Sequence, residues 1–260
     1  MKVCSWNVNS IRARKELLFA WLERRNFDID VLCLQELKVE EPLFPYKDFE
    51  EKGYKCAVNS QKRYNGVCIC SKYDIQDVLK GFSDEYFDQQ KRVIAAKIKD
   101  IWIINLYVPH GDIRGTDKYY YKLDWYKKLY NWLNQHFSPT MPIIMTGDFN
   151  VALEDIDVYD PELLRDSIGT MEEERQALKK ILDWGFIDTF RYLHPDKQEF
   201  TWWDYIGGAF WKNEGMRIDY ILCTKPLIDR LKSVEIDLWP RKKRKPKPSD
   251  HAPVIAEFDI

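Results

Sequence analysis

Short apolar runs recur from one end of this chain to the other, and many of them stop at a residue that can do chemistry. Val3–Val8, Val31–Gln35, Gly66–Ser71, Val93–Ile98, Ile101–Val108, Pro142–Gly147, Ile218–Thr224 and Val254–Phe258 are strand-length and apolar, so they read as buried strands. Helical spacing falls between some of them. Arg12–Arg25 sets Leu17, Leu18, Trp21 and Leu22 on one face. Lys118–Phe137 does the same with Leu123, Tyr126, Leu129, Tyr130, Leu133 and Phe137, and Met171–Trp184 with Ala177, Leu178, Ile181 and Leu182. Thr170 followed by Glu173 fits a capping box at the start of the third helix. Strands outnumber helices and several are consecutive. That order predicts two sheets packed together with helices outside, an α/β (α+β) arrangement, rather than a simple alternation of strand and helix.

The 260 residues show no internal repeat and no Gly/Ser linker, and the polar motifs from the two ends need each other, so residues 1–260 are expected to form one domain. Asp155–Thr170 reads as a long irregular loop and Pro240–Pro248 as a basic loop flanked by prolines. A formal charge of −2 does not announce a nucleic-acid binder, but a carboxylate-rich site cancels basic patches in the total. The six cysteines lie mostly in apolar runs without metal-ligand spacing, so they are expected to be reduced core residues, with Cys68 and Cys70 on one face of a strand. No signal-peptide pattern opens the chain and no apolar run approaches membrane-spanning length. An intracellular protein is expected, cytoplasmic or, in a eukaryote, nuclear.

The strand ends carry the chemistry. The first run ends in Asn7 and Asn9, the second in Gln35-Glu36, the fifth in Tyr107, and the sixth in Gly147-Asp148-Phe149-Asn150. Arg217 and Asp219 open the seventh run, and Ser249-Asp250-His251 precedes the last. Rigid strand ends can aim side chains into a shared cleft. Each motif has a plainer reading on its own: a solvated Glu, or turns built from Gly, Asp, Asn and Ser. Asp219 inside an apolar run is harder to dismiss, because a buried carboxylate needs a partner. Together these groups suit phosphodiester hydrolysis. Carboxylate oxygens suit a hard cation such as Mg²⁺, a histidine and an Asn amide can donate to phosphoryl oxygens, and a carboxylate can activate water. Zinc spacing, a Gly-rich phosphate cradle and a nucleophilic Ser or Cys motif are absent.

Several longer stretches narrow the reading. They are Ser5-Trp6-Asn7-Val8-Asn9-Ser10-Ile11-Arg12-Ala13, Leu34-Gln35-Glu36-Leu37-Lys38, Asn105-Leu106-Tyr107-Val108-Pro109, Gly147-Asp148-Phe149-Asn150-Val151-Ala152, Trp184-Gly185-Phe186-Ile187-Asp188-Thr189-Phe190-Arg191, Phe200-Thr201-Trp202-Trp203-Asp204-Tyr205, Arg217-Ile218-Asp219-Tyr220-Ile221-Leu222 and Ser249-Asp250-His251-Ala252-Pro253-Val254. With them the chain resembles the exonuclease III family of apurinic/apyrimidinic endonucleases, within the DNase I-like endonuclease/exonuclease/phosphatase superfamily. The resemblance covers nearly the whole chain. It implies a four-layer sandwich of two mixed sheets flanked by helices. It implies an abasic-site DNA endonuclease of base excision repair that hydrolyses the phosphodiester 5′ to the lesion and leaves a 3′-hydroxyl, with 3′-phosphodiesterase and 3′→5′ exonuclease activity. Mg²⁺ is the implied cofactor, with Mn²⁺ substituting. The implied partner is double-stranded DNA bearing abasic sites or blocked 3′ ends, met by a monomer away from any membrane.

By the same resemblance Glu36 is the main metal ligand, with Asn7 and Asp250 near it. His251, oriented by Asp219, contacts phosphate. Asp148 handles the proton of the attacking water with Asn150 beside it, and Tyr107 sits on the phosphate side. Trp202, Met216 and Ile218 wall an apolar box for a flipped baseless sugar, whereas Trp203 is ordinary core. Arg12, His110 and Arg114 are expected substrate contacts. Three positions depart from the family: Ser10 for Gly, His110 for Asn or Gln, and Asn9 for an Asp found in some members. The run Arg241-Lys242-Lys243-Arg244-Lys245 with Lys247, and the group Arg114, Lys118 and Tyr119–Tyr121, are expected to meet the DNA backbone. Two other readings stand beside this one: a superfamily phosphatase acting on a small phosphate ester, and a DNA-binding module without chemistry.

Overall fold

The computed structural model describes residues 1–260. Its fourteen strands, numbered along the chain, form two six-stranded sheets and a two-stranded ribbon. The first sheet runs in the order β13 (Leu231–Ile236), β14 (Val254–Phe258), β1 (Lys2–Asn7), β2 (Val31–Gln35), β4 (Val67–Ser71), β3 (Lys55–Asn59). The second runs β5 (Gln76–Lys80), β6 (Val93–Ile98), β7 (Ile101–Tyr107), β8 (Ile143–Asp148), β12 (Asp219–Thr224), β9 (Phe186–Asp188). The ribbon pairs β10 (Trp202–Trp203) with β11 (Gly215–Met216).

Alternation along the strands builds the layers. Val3, Val31, Cys33 and Ile69 face Ile94, Ile103, Ile144 and Ile221 between the sheets. The other face of the first sheet, with Cys4, Trp6, Leu32 and Leu34, is covered by helix Ile11–Arg24 through Leu18, Trp21 and Leu22. Helices Asp117–His136 and Glu172–Gly185 cover Ile104, Leu106, Met145 and Leu222 on the far side. The result is the expected four-layer sandwich of mixed sheets.

Each sheet has one parallel pair, β1 with β2 and β7 with β8. A helix crosses over between the members of each pair, as parallel strands require. The carboxyl ends of those strands therefore carry Asn7, Gln35, Tyr107 and Asp148 to one edge of the sandwich. Asp219 lies directly opposite Asp148 in the β8–β12 ladder.

The structure corrects some expectations. The third helix is capped one residue later than predicted: Glu174, not Glu173, reaches back to accept from the Met171 N–H at 3.2 Å. Thr170 is engaged within the preceding loop, accepting from Ser167 N–H at 3.0 Å. Two of the cysteines are not free. Cys56 and Cys70 are joined by a disulfide between directly opposed positions of β3 and β4. Opposed residues of an antiparallel pair bring their β-carbons within bridging reach, a proximity that chain spacing cannot reveal. The other four cysteines are buried thiols, and Cys68 lies on the same face as Cys70. No helix is long and apolar enough to cross a membrane.

Candidate active site

The edge where the strands end is drawn tight by close backbone approach. A β-carbon on Gly147 would lie 2.2 Å from the Leu106 carbonyl oxygen, so glycine lets β8 close on β7 and sets Asp148 beside Tyr107. Glu36 and Asn150 both hold left-handed backbone, φ 52° and 50°, uncommon for residues with a β-carbon. The Asn150 amide is held in place by donating to the Val108 carbonyl at 2.8 Å.

Four acidic and basic groups converge there. The Asn7 amide donates to Glu36 Oε1 and to Asp148 Oδ2, each at 2.9 Å, and so bridges the two carboxylates. The other Asp148 oxygen accepts from the Asn150 backbone N–H at 3.0 Å. His251 places Nε2 3.6 Å from Asp148 Oδ2, while its Nδ1 meets Asp219 Oδ2 at 2.8 Å. His251, Asp148 and Asp219 are all buried. Thr201 fixes the start of β12 by accepting from the Ile218 and Asp219 N–H groups at 3.0 and 3.1 Å.

Burial works against a charged His251, but Asp219, Asp148 and Asp250 overcome it and lift the imidazole to about 10, so it is a cation at neutral pH. Burial pushes the Asp148 carboxyl up, with Asp219 and Glu36 adding to it against the pull of His251 and Asn7. A carboxylate so raised is suited to accept a proton near neutrality. The Tyr107 phenol is pushed well above its usual range by burial and by Glu36, so it keeps its proton and can donate. Burial and Lys122 hold the His110 imidazole below its usual value despite nearby carboxylates.

A cavity of about 420 Å³ opens over these groups. Glu36, Tyr107, His110, Asp148, Asn150 and His251 line its polar side, and Leu164, Ile168, Trp202, Met216 and Ile218 its apolar side. The ribbon holds Trp202 opposite Met216, and Trp202 also bridges to His251. The structure thus brings together Trp202, Met216 and Ile218 as one wall, and leaves Trp203 buried in the core.

Glu36, Asp148 and His251 can each place a ligand atom within 4.8 Å of the other two. Of the three, the Glu36 and Asp148 carboxylates offer the oxygen donors that fit a hard divalent cation. Asp250 lies outside that group: its oxygens accept from Trp202 Nε1 at 3.1 Å and Asn9 Nδ2 at 3.2 Å, and it braces the box wall. Asn7 turns its amide nitrogen, not its oxygen, to the carboxylates, because Oδ1 accepts from the Asn9 N–H at 3.0 Å.

Other expected contacts lie at the rim or beyond it. Arg12 is exposed in the first turn of its helix and does not line the cavity. Arg114 is forked between Asp166 and Glu173 and does not line the cavity. Arg241 is buried, its guanidinium over the Phe210 ring and donating to the Trp203 carbonyl, whereas Lys242, Arg244 and Lys245 are exposed. Sequence reasoning missed the wall formed by Leu164, Ser167, Ile168 and Gly169. Its only signal was the length of the irregular loop that carries it, since long ordered loops are commonly functional. Arg92 was missed as well; it stacks on the Tyr107 ring at 4.6 Å and donates to the Tyr107 carbonyl.

Known proteins share both sequence and shape with this chain. Residues 4–251 match the Endonuclease/Exonuclease/phosphatase family. Exodeoxyribonuclease III of Haemophilus influenzae is 35% identical, over 99% of this chain and 100% of that protein. An AP endonuclease from Archaeoglobus fulgidus superposes with a TM-score of 0.94 at 40% identity, covering 100% of both chains. A 3′ phosphatase from Neisseria, bound to a product DNA hairpin, superposes with a TM-score of 0.93 at 37% identity, again over 100% of both.

Proposed function

Since this chain belongs to the endonuclease/exonuclease/phosphatase family, we propose that it is a metal-dependent DNA phosphodiesterase that nicks duplex DNA 5′ to an abasic site. The same centre would remove phosphate and other blocking groups from 3′ ends and degrade DNA from 3′ ends. One observation carries the reading: a small apolar box, walled by Trp202, Met216 and Ile218, opens directly onto the His251–Asp148 pair. A baseless sugar fits such a box where a full nucleotide would not, and extruding it costs least.

The chain's own residues divide the work. His251, charged and held by Asp219 at 2.8 Å, donates from Nε2 to a phosphoryl oxygen as negative charge builds there. Asp148 takes the proton of the attacking water, steadied by the Asn7 amide and the Asn150 backbone N–H. Tyr107 donates its phenol to the phosphate side. Glu36 would hold Mg²⁺, whose charge offsets the repulsion between an anionic diester and its nucleophile, and Asp148 is left to take the proton. Trp202, braced by Asp250, excludes a base from the box.

The test is cleavage of a duplex with one abasic analogue beside an undamaged duplex and a soluble phosphoinositide. Nicking at the lesion is expected with Mg²⁺ and not with chelator. His251→Ala is expected to lower kcat by about 100-fold or more. Lesion binding without nicking would sink the enzymatic reading, and phosphate release from the phosphoinositide alone would redirect it to a small phosphate ester.

A further inference from the structure

Behind the box lies an ion pair that the proposed chemistry does not use. Lys122 and Glu174 meet at 2.7 Å, and both side chains are 0% exposed. A buried ammonium is tolerated only when its protons are matched, and here each is. Lys122 Nζ donates to Glu174 Oε1 at 2.7 Å, to the Asn150 carbonyl at 2.8 Å and to the His110 carbonyl at 3.1 Å. Glu174 Oε2 accepts from the Gly169 N–H at 2.7 Å and from the Met171 N–H at 3.2 Å.

Those partners are not scattered. His110 and Asn150 line the polar side of the cavity, and Gly169 ends the stretch Ser167–Gly169 that forms its outer wall. Gly169 closes on the box from that side: a β-carbon there would come within 3.1 Å of Met216 Cε. The backbone at Gly111 lies on the Lys122 stem, where a β-carbon would meet Cδ at 2.6 Å. Neither Lys122 nor Glu174 lines the cavity. Well-packed apolar residues often replace a buried ion pair without loss of stability, and what this pair adds is the fixed spacing of three separate loops.

We propose that Lys122 and Glu174 are positioning residues that hold the outer wall of the apolar box, and thereby set how well the box accepts the baseless sugar that lesion nicking requires. This rests on the abasic-site reading above. It separates two reactions that share one centre. Nicking 5′ to a lesion requires the sugar beyond the scissile phosphate to enter the box. Removing a terminal 3′-phosphate leaves the box empty.

The experiment is steady-state kinetics of the wild-type chain, Glu174→Gln and Thr170→Val on two substrates: a duplex with one abasic analogue, and a nicked duplex ending in a 3′-phosphate. Glu174→Gln sets an amide donor against the donors it now accepts from. Its kcat/KM for the abasic duplex is expected to fall by at least about tenfold, mostly through KM. Removal of the 3′-phosphate is expected to stay within about threefold of wild type. Parallel losses on both substrates, or no loss on either, would overturn the proposal. If Glu174→Gln does not fold, Thr170→Val decides, since Thr170 ties the same loop to Ser167 without adding an unpaired buried charge. The same split at smaller size supports the proposal, and parallel or absent change overturns it. A wild-type chain that fails on the abasic duplex would strike the abasic-site reading itself, whereas a wild type that cuts both and a variant that keeps their ratio strike only this inference.

Discussion

Asp219 makes His251 a cation, and the two must be read together. The imidazole is buried, which alone would favour its neutral form; the carboxylate at 2.8 Å reverses that. Because the folded-state value is raised to about 10, the stabilisation from this pair is fully present below the usual 6.5 and disappears as pH rises through 10. His110 runs the other way: burial and Lys122 lower it from 6.5, so it is neutral at physiological pH. NMR of the metal-free protein checks both. The His251 ring signals are expected to stay those of an imidazolium well past neutrality, while those of His110 titrate below 6.5. In Asp219→Asn the His251 titration should move down toward neutrality, with kcat for nicking reduced by about 100-fold. An unmoved titration would mean that Asp219 is only a scaffold.

At the scale of elements, legibility followed burial. Strands covered on both faces, such as β2, β4, β7 and β8, are continuous apolar runs and were readable as such. The edge strands β3, β5 and β13 were not, because one face meets water and their residues, such as Gln76, Asp77 and Lys80, look like loop. The two-residue strands of the ribbon carry no period at all. The basic loop shows the same limit. Arg241 and Lys242–Lys245 read as one charge run, yet Arg241 is buried against Phe210 and Trp203 while its neighbours face solvent. Replacing Lys242, Lys243, Arg244 and Lys245 with Ala is expected to weaken DNA binding and flatten its dependence on salt by about one slope unit per lost phosphate contact. A slope equal to wild type in binding measured across salt would remove this loop from the interface. Arg241→Ala should instead lower the melting temperature, since it empties a packed position.

At the scale of the whole molecule, the candidate site was legible because its polar side chains sit at strand ends, and strand ends can be read from apolar runs. Asn7, Glu36, Tyr107, Asp148, Asp219 and His251 were all in view. The wall at Leu164–Gly169 was not, since its placement depends on a buried ion pair joining two helices far apart in the chain. The site also draws on both sheets: Asn7 ends β1, Glu36 follows β2 and His251 precedes β14 of the first, while Tyr107, Asp148 and Asp219 lie in strands of the second. β14 lies between β1 and β13 and carries Asp250-His251 at its entrance. A chain ended before Ser249 therefore lacks an interior strand as well as the imidazole. It is expected to lose both cooperative melting and lesion nicking in the abasic-duplex assay, and retained nicking would refute the role of His251.

That placement of β14 has a bearing on manufacture. Synthesis runs from the amino end, so Glu36 and Asp148 leave the ribosome long before His251 does. The nascent chain therefore carries Glu36 and Asp148 through the synthesis of residues 149–250 before their cation, His251, is made.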